Sequence, residues 1–311
     1  MIVLTFLFLA LAACILGNAA LSMHYACIGL ELWFQKMIPA LLPFMILSGI
    51  MIRLGLTEKV AMLLYPVVGP IYRIRKNVVY AMMLGFLCGF PMGAKVTADL
   101  YDRQMITKRE AEYLLAFCNN IGPVYFCSFA LPLLGRTKLF PYLFGMYGLP
   151  LLYGLLLRFT CFRDLAAESR NNPGDRKAAQ PQERVSVGRL LRAIDDSVKT
   201  SLQSILSLGG YMILFNLLNL LPHMLLGRAP VLLAPLLEIT GGLSMLDSSL
   251  PLYSLMVLSF GGLSCIAQTY SCIGHTDLSV SDYIMHKVVL TVGNALFYLL
   301  WFLLCPSSFL R

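Results

Sequence analysis

The sequence is poor in charged residues. Only 13% of its 311 residues are Asp, Glu, Lys or Arg, whereas 58% are hydrophobic. A soluble domain carries about 25% charged and about 45–50% apolar residues. The composition therefore excludes a soluble globular protein and predicts an all-α polytopic membrane protein. At about 20 apolar residues per span, the chain has room for roughly eight to ten membrane segments.

The sequence also lacks the patterns of a catalytic or metal centre. Its nine cysteines form no C-x-x-C pair, and its four histidines are scattered along the chain. We find no nucleophile–base pair, metal-ligand cluster or phosphate-binding loop. These absences predict that the protein is not an enzyme and binds neither a metal nor a cofactor. Most of the cysteines are interpreted as small buried hydrophobic residues.

The net charge of +8 is spread through short loops between apolar segments. This distribution is typical of loops beside an anionic bilayer and does not favour binding to nucleic acid. Residues 158–192 hold eight Arg or Lys against four Asp or Glu, and a turn sequence lies at 171–174. We therefore predict a basic cytoplasmic linker, 158–192, between a first membrane half, 1–157, and a second membrane half, 193–311.

The N-terminal segment, Met1–Met23, contains no charged residue. A signal peptide needs a basic n-region, so we interpret this segment as a retained first span rather than a cleaved signal. Residues 61–72 are apolar but too short for a spanning helix, which predicts a re-entrant or interfacial segment. The other apolar segments are 32–52, 77–94, 139–157, 200–221, 231–246, 250–273 and 283–305.

Glycine and proline are concentrated in one apolar segment, at Gly89, Pro91 and Gly93, and Lys95 follows directly. Glycine lowers helix stability and proline removes a backbone donor, so the helix is predicted to break near Pro91. The freed backbone groups have to be buried in protein or line a wet cavity. Transporters place substrate and ion sites at such breaks.

A further helix is predicted after this break. Thr107 and Glu110 have the N-cap and N3 spacing of a capping box. The helix is predicted to extend to Asn119 and Asn120, after which Gly122 and Pro123 interrupt it. A second glycine-rich break is predicted in the other half of the chain, in the run 260–268.

The two halves resemble each other at low identity. Residues 89–95 align with 262–268, and after one gap 106–113 align with 278–285. In each half, a glycine-rich break is followed by a polar connection and a helix with Thr or Ser at its start. The pattern predicts two structurally related halves with broken or re-entrant helices at the centre. The number of spans per half, which decides whether the repeats are inverted, is left open.

The sequence GFPMGAK at 89–95 resembles the G-[YF]-P-x-G-A-K signature of the YlbJ-type sporulation integral membrane proteins, also called the stage V sporulation protein V family. Residues 116–123 look like that family's next block, and 237–242 with 260–268 look like its second signature. The resemblance implies membership of the wider nucleoside-recognition, or gate, domain group. It also implies a location in the outer forespore membrane and dipicolinic acid as the cargo.

The candidate substrate site consists of glycines and polar residues beside the two breaks. Lys95 is interpreted as a counter-charge for an anionic substrate, with a snorkelling anchor or a simple pair with Asp99 as alternatives. The neutral polar residues are equally consistent with interhelical hydrogen bonds, and the glycines with close helix packing. The predicted substrate-binding residues are Gly89, Pro91, Gly93, Lys95, Asn119, Asn120, Gly262, Ser264 and Gln268.

Two further charged positions lie within apolar segments. A carboxylate inside the membrane costs at least about 2.5 kcal/mol by insertion scales, so Glu238 is predicted to have a partner or a task. We interpret it as a coupling or proton-handling group, with a membrane-edge carboxylate as the alternative. The pair His286 and Lys287, at the start of the last span, is interpreted as an interface anchor.

The sequence thus predicts a membrane transporter of a small polar, anionic metabolite in a bacterial cell membrane. A nucleoside-type permease is one alternative. Another is a non-transporting scaffold of a sporulation complex that docks through the basic linker. The predicted partners are the bilayer and a small-molecule substrate, and assembly as a homo-oligomer or with a partner membrane subunit is left open.

Overall fold

The structure, a computed structural model, describes residues 2–134, 139–165, 186–246 and 250–305. Every regular element within these ranges is helical, which confirms the predicted all-α class. Five helices there are long and apolar enough to cross a membrane, as expected of a polytopic membrane protein. These five are Ala19–Leu54, Leu139–Phe159, Val187–Leu226, Pro251–Ile273 and Val280–Leu304.

The helices are numbered here in chain order. The first half contains α1 (Ile2–Gly17), α2 (Ala19–Leu54), α3 (Thr57–Ala61), α4 (Tyr65–Tyr72), α5 (Lys76–Cys88), α6 (Met92–Asp102), α7 (Lys108–Phe117), α8 (Pro123–Leu133) and α9 (Leu139–Phe159). The second half contains α10 (Val187–Leu217), α11 (Leu220–Leu226), α12 (Ala234–Leu237), α13 (Ile239–Met245), α14 (Pro251–Phe260), α15 (Gly262–Ile273) and α16 (Val280–Leu304).

The long helix α2 differs from the predicted segments. α1 and α2 meet at Asn18, so the predicted first span, 1–23, contains the end of one helix and the start of another. Pro39 and Pro43 lie inside α2 and do not end it. A wider π turn at Trp33–Met37 ends two residues before Pro39. Such turns adjust the helical hydrogen-bond ladder beside residues that disrupt it.

α5 and α6 form a hairpin, the first hairpin, whose tip is Gly89–Pro91. Gly89 has φ +80° and ψ −165°, a conformation essentially restricted to glycine. The Phe90–Pro91 peptide bond is cis, and the two arms pack side by side. The predicted break near Pro91 is confirmed, and it reverses the chain direction instead of kinking a single span.

The next helix, α7, begins with the predicted capping box. The Glu110 amide donates to Thr107 Oγ1 at 3.2 Å, and the Thr107 amide donates to the Glu110 carboxylate at 2.8 Å. Glu110 also forms an ion pair with Arg75 at the start of the first hairpin. Residues 118–122 separate α7 from α8, as predicted, and form an irregular connection that we call the α7–α8 junction.

The second half contains a shorter hairpin and a broken span. α12 and α13 pack against each other around Glu238 and form the second hairpin. α14 and α15 are separated at Gly261, and they do not pack side by side. The aligned residues Gly89 and Gly262 therefore occupy different structures, a hairpin tip and a break within one span. The two related halves of the sequence alignment stay a prediction.

The predicted linker, 158–192, is largely outside the described residues, at 166–185. Its first residue, Arg158, is buried and donates hydrogen bonds to the carbonyl oxygens of Phe162 at 2.8 Å and Arg73 at 3.3 Å. At the other end, α10 already begins at Val187. Arg158 therefore belongs to the packed helical part of the chain, because its guanidinium satisfies carbonyls at two helix ends.

One end of the helical assembly is polar. Asp277 accepts hydrogen bonds from Tyr101 at 2.7 Å and Lys108 at 2.9 Å, and Asp102 lies 2.7 Å from His275. The hydrogen bonds from Tyr101 and Lys108 lower the pKa of Asp277. These contacts hold the open end of the first hairpin against the connection between α15 and α16.

Candidate functional site

Three helices enclose a polar cleft beside the tip of the first hairpin. The cleft has a volume of about 190 Å³ and lies between α6, α10 and α15. A lysine, a histidine, two glutamines, three serines and a tyrosine contribute to its wall. The lining residues are Pro91, Lys95, Gln203, Ser204, Ser207, Leu208, Tyr211, Gln268, Ser271, Cys272 and His275.

Helical spacing brings these side chains to one space. Gln203, Ser207 and Tyr211 follow one another at four-residue intervals on α10, and Gln268 and Cys272 do so on α15. Residues four apart lie on the same face of a helix. Polar residues within a membrane helix face the bundle interior or a wet cavity, because lipid cannot satisfy their hydrogen bonds. The polar face of α10 accordingly points into the cleft.

Both basic side chains of the cleft lie beside carboxylates of α6. Lys95 Nζ is 2.6 Å from Asp99 Oδ1, and the two side chains are 20% and 25% exposed. His275 Nε2 is 2.7 Å from Asp102 Oδ2 at the more exposed end of the cleft. The Lys95–Asp99 pair that was the alternative interpretation is therefore present. Because Lys95 lines the cleft, an anionic solute bound there would compete with Asp99 for the Lys95 ammonium.

A second polar cluster, the junction cluster, lies at the α7–α8 junction. Asn119 Nδ2 donates to Thr269 Oγ1 at 2.8 Å and to the Tyr283 hydroxyl at 3.3 Å. Lys287 Nζ donates to the Asn119 carbonyl oxygen at 3.1 Å and to Asn120 Oδ1 at 3.3 Å. Lys287 is only 3% exposed. The interpretation of Lys287 as an interface anchor is therefore wrong, because its ammonium is inside the protein.

The two hairpins and the α14–α15 break lie against one another. A Cβ added to Gly261 would lie 3.3 Å from the Phe90 ring, so the tip of the first hairpin touches the α14–α15 break. A Cβ added to Gly262 would lie 3.1 Å from the Pro235 carbonyl oxygen and 3.2 Å from that of Leu237. The α14–α15 break thus lies between the first hairpin and the second hairpin.

Three of the predicted substrate-binding residues line the polar cleft, namely Pro91, Lys95 and Gln268. Ser264 is buried one turn before Gln268 and accepts a hydrogen bond from Gln268 Nε2 at 2.8 Å. This bond orients the Gln268 amide and leaves its carbonyl oxygen available to the cleft. Ser264 therefore positions Gln268 and does not itself form part of the wall.

The remaining predicted residues are packed or lie in the junction cluster. A Cβ on Gly93 would lie 2.7 Å from the Cys118 carbonyl oxygen, and one on Gly89 would lie 2.7 Å from the Gly122 Cα. These two glycines and Gly262 allow backbones to approach closely. They therefore have the alternative role predicted from the sequence, which is close helix packing. Asn119 and Asn120 are held in the junction cluster, and neither lines the cleft.

The sequence reasoning missed the wall that α10 provides. Gln203, Ser204, Ser207 and Tyr211 all lie within the predicted apolar segment 200–221. The four-residue spacing of the polar side chains was the signal that could have identified them. Glycine and proline do not mark this wall, because α10 contains no break at these positions.

Glu238 is buried and fully supplied with donors. Glu238 is 1% exposed, and its carboxylate accepts hydrogen bonds from the amides of Thr240 at 3.1 Å and Gly241 at 2.6 Å. Asn216 Nδ2 donates a third at 3.1 Å. The carboxylate thus caps α13 and ties the second hairpin to α10. This contact set supplies the partner that burial demands, and the coupling role stays a prediction.

We expect Glu238→Gln to lower the free energy of unfolding by about 1–3 kcal/mol, because the glutamine NH₂ would face backbone donors. Thermal unfolding of the purified protein in detergent measures the change. Glu31→Gln, which neutralises an exposed carboxylate on α2, is the matched control and should leave stability unchanged. Unaltered stability combined with loss of ion-driven uptake would instead assign Glu238 to coupling.

The comparisons with known proteins support a membrane protein of a sporulation family. No protein-family model and no solved structure matches the chain. The chain is similar to the sporulation integral membrane protein YlbJ of Bacillus subtilis (strain 168). The two are 29% identical over 333 aligned positions, which cover 94% of this chain and 81% of the relative. Together with the multi-pass helical fold, this match supports the resemblance of the chain to the YlbJ-type sporulation integral membrane proteins.

Proposed function

We propose that the protein transports a small polar, anionic metabolite across a membrane, with dipicolinic acid as the candidate substrate. The observation that carries the proposal is the polar cleft between α6, α10 and α15, which contains Lys95. A protein that only assembles a complex has no need for a polar cleft between its apolar helices. The resemblance to sporulation proteins favours the outer forespore membrane as the location.

The chemistry of the cleft favours an anion with additional polar groups. Lys95 supplies a positive charge, and the start of α6 at Pro91 adds the positive end of a helix dipole. The hydroxyls of Ser207 and Tyr211 are able to donate hydrogen bonds to carboxylate oxygens. Charge-assisted hydrogen bonds of this kind are about twice as strong as neutral ones.

The size of the cleft favours a solute with one ring. Pockets for drug-sized ligands have volumes of about 300–1,000 Å³, and this cleft has about 190 Å³. A pyridine dicarboxylate is smaller than a nucleoside, which adds a ribose to its base. The volume therefore supports dipicolinic acid over the nucleoside-type alternative.

The arrangement of hairpins and breaks supports two related halves that move against each other. α15 leads from the α14–α15 break to Asp277, which is bound to Tyr101 at the open end of the first hairpin. α14 therefore extends from the break toward the opposite end, where the second hairpin opens. We propose that each half consists of a hairpin followed by a broken span. The first half is the first hairpin with α7 and α8, the second half is the second hairpin with α14 and α15, and the two halves have opposite orientations in the membrane. Repeats of this type enclose substrate sites in known transporters.

The proposal is tested by reconstitution. The protein is placed in liposomes, and uptake of labelled dipicolinate is measured with unlabelled dipicolinate or nucleosides as competitors. We expect saturable uptake that dipicolinate competes for and nucleosides do not. Empty liposomes provide the background. Competition by nucleosides would favour the nucleoside-type permease.

Absence of any uptake by correctly folded protein would contradict the transport proposal and favour the scaffold. The segment that a scaffold would use for docking, the basic linker, lies mainly at 166–185, outside the described residues. Deletion of that segment would then abolish sporulation-complex assembly, whereas a transporter should keep its uptake. A homo-oligomer or a partner membrane subunit stays a prediction, which light scattering of the purified protein would examine.

A further inference from the structure

The inference concerns the ammonium group of Lys287. Lys287 lies on α16, is 3% exposed, and donates to the Asn119 carbonyl oxygen and to Asn120 Oδ1. Its Nζ also lies 5.8 Å from the centroid of the Phe90 ring, at the tip of the first hairpin. Among the residues that the structure describes, no carboxylate forms an ion pair with it. Two oxygens and an aromatic face are thus the neighbours of a buried cation.

The oxygens that hold this ammonium are of the kind that binds small cations. α7 ends at Phe117, so the Asn119 carbonyl follows the negative end of a helix dipole and has no helical donor. Transporters use unwound carbonyls and the ends of half-helices to coordinate Na⁺ at helix breaks. Amide side-chain oxygens are suitable ligands for the same ions. The faces of aromatic rings also attract cations.

We propose that Lys287 is a built-in cation. Its ammonium occupies a site at the α7–α8 junction that would otherwise take a small monovalent cation, and it joins α16 to the first hairpin without an external ion. The protein then needs no Na⁺ to organise the junction. Because Lys287 does not line the polar cleft, it is separate from the substrate counter-charge proposed for Lys95. The inference deepens the proposed function, on which this one consequence rests: the junction does not provide a Na⁺ site for transport.

A thermal unfolding experiment in detergent tests this site without any transported solute, so failed transport would not affect the outcome. Melting temperatures are measured in increasing NaCl, with choline chloride keeping the ionic strength constant. The wild type should show no difference between the salts. Lys287→Ala should melt lower in choline and recover by about 5 °C in saturating Na⁺, because the vacated oxygens bind the ion.

Two further variants make the comparison specific. Lys287→Met keeps the side-chain length and fills the space, so it should melt lower and not respond to Na⁺. Lys95→Ala removes a different lysine and should not respond either. If Lys287→Ala fails to stay folded in choline, the yields of folded protein in Na⁺ and choline are compared, and recovery in Na⁺ is the expected result.

Two outcomes would overturn the proposal. A saturable stabilisation of the wild type by Na⁺ would show that the junction still requires an external cation. An absence of any Na⁺ effect on the stability or yield of Lys287→Ala would reduce Lys287 to an ordinary hydrogen-bonding residue.

Discussion

Gly89→Ala is expected to leave almost no folded protein in the membrane. Gly89 has φ +80° and ψ −165°, which a residue with a Cβ adopts only at a cost of about 1–3 kcal/mol. The added Cβ would also lie 2.7 Å from the Gly122 Cα and still closer to the Gly122 amide nitrogen. Overpacking of this kind costs about 1–3 kcal/mol more. Backbone atoms cannot rotate away as a flexible side chain would.

The measurement is the fraction of protein that elutes as a single folded species after extraction into detergent. Gly210→Ala is the matched control, since a Cβ on Gly210 would meet nothing within 4 Å. Gly210 lies within α10, where alanine is favoured over glycine by about 1 kcal/mol. The control should therefore be as stable as the wild type or more stable. A folded Gly89→Ala protein of normal stability would contradict the close approach of the first hairpin to the α7–α8 junction.

This close approach also shows why the breaks were predictable from the sequence. Glycine and proline act directly on backbone conformation, so Pro91 and Gly261 predicted helix breaks without any knowledge of partners. The capping residue Thr107 likewise predicted a helix start. The sequence did not reveal that the chain reverses at Gly89–Pro91 but continues in the same direction at Gly261. That difference depends on which arms pack together, and such contacts are long-range.

The buried lysine illustrates the opposite case. Lys287 near the start of a span has the sequence context of an interface anchor, because a long side chain there usually reaches water. Its burial depends on the face of α16 to which it belongs. Tyr283, Leu290, Asn294 and Tyr298 are also buried and recur at helical spacing with Lys287. The spacing was visible in the sequence, but only the fold showed which face was internal.

The candidate site was predictable to the same limited extent. Pro91, Lys95 and Gln268 lie beside breaks that the sequence predicts, and they line one cleft. The wall from α10 came from a helix more than 100 positions away in sequence from Lys95, between elements whose contacts no local pattern encodes. Asn119 and Asn120 share the polarity of the cleft residues, yet the Asn119 side chain bonds to Thr269 and Tyr283, and the Asn120 side chain accepts from Lys287.

Lys95→Ala is expected to raise the concentration of dipicolinate at half-maximal uptake about 10–100-fold. A hydrogen bond between charged groups is worth about 1.5–3 kcal/mol, and about 1.4 kcal/mol corresponds to a factor of ten. The measurement is the initial rate of uptake into liposomes over a range of dipicolinate concentrations. The control is Lys199→Ala. Lys199 also lies 2.6 Å from an aspartate four residues away, Asp195, but its side chain is 70% exposed and outside the cleft.

Asp99→Asn decides whether the effect of Lys95 arises from its charge or from helix stability. Lys95→Ala and Asp99→Asn remove the same ion pair from α6, so a purely structural role predicts that both weaken uptake. If Lys95 binds the anion, Asp99 competes with the solute for the ammonium. Asp99→Asn should then lower the half-saturating concentration by up to about fivefold, the strength of a partly exposed pair. Opposite signs for the two variants would assign Lys95 to the substrate, and equal signs would return it to the structural pair with Asp99.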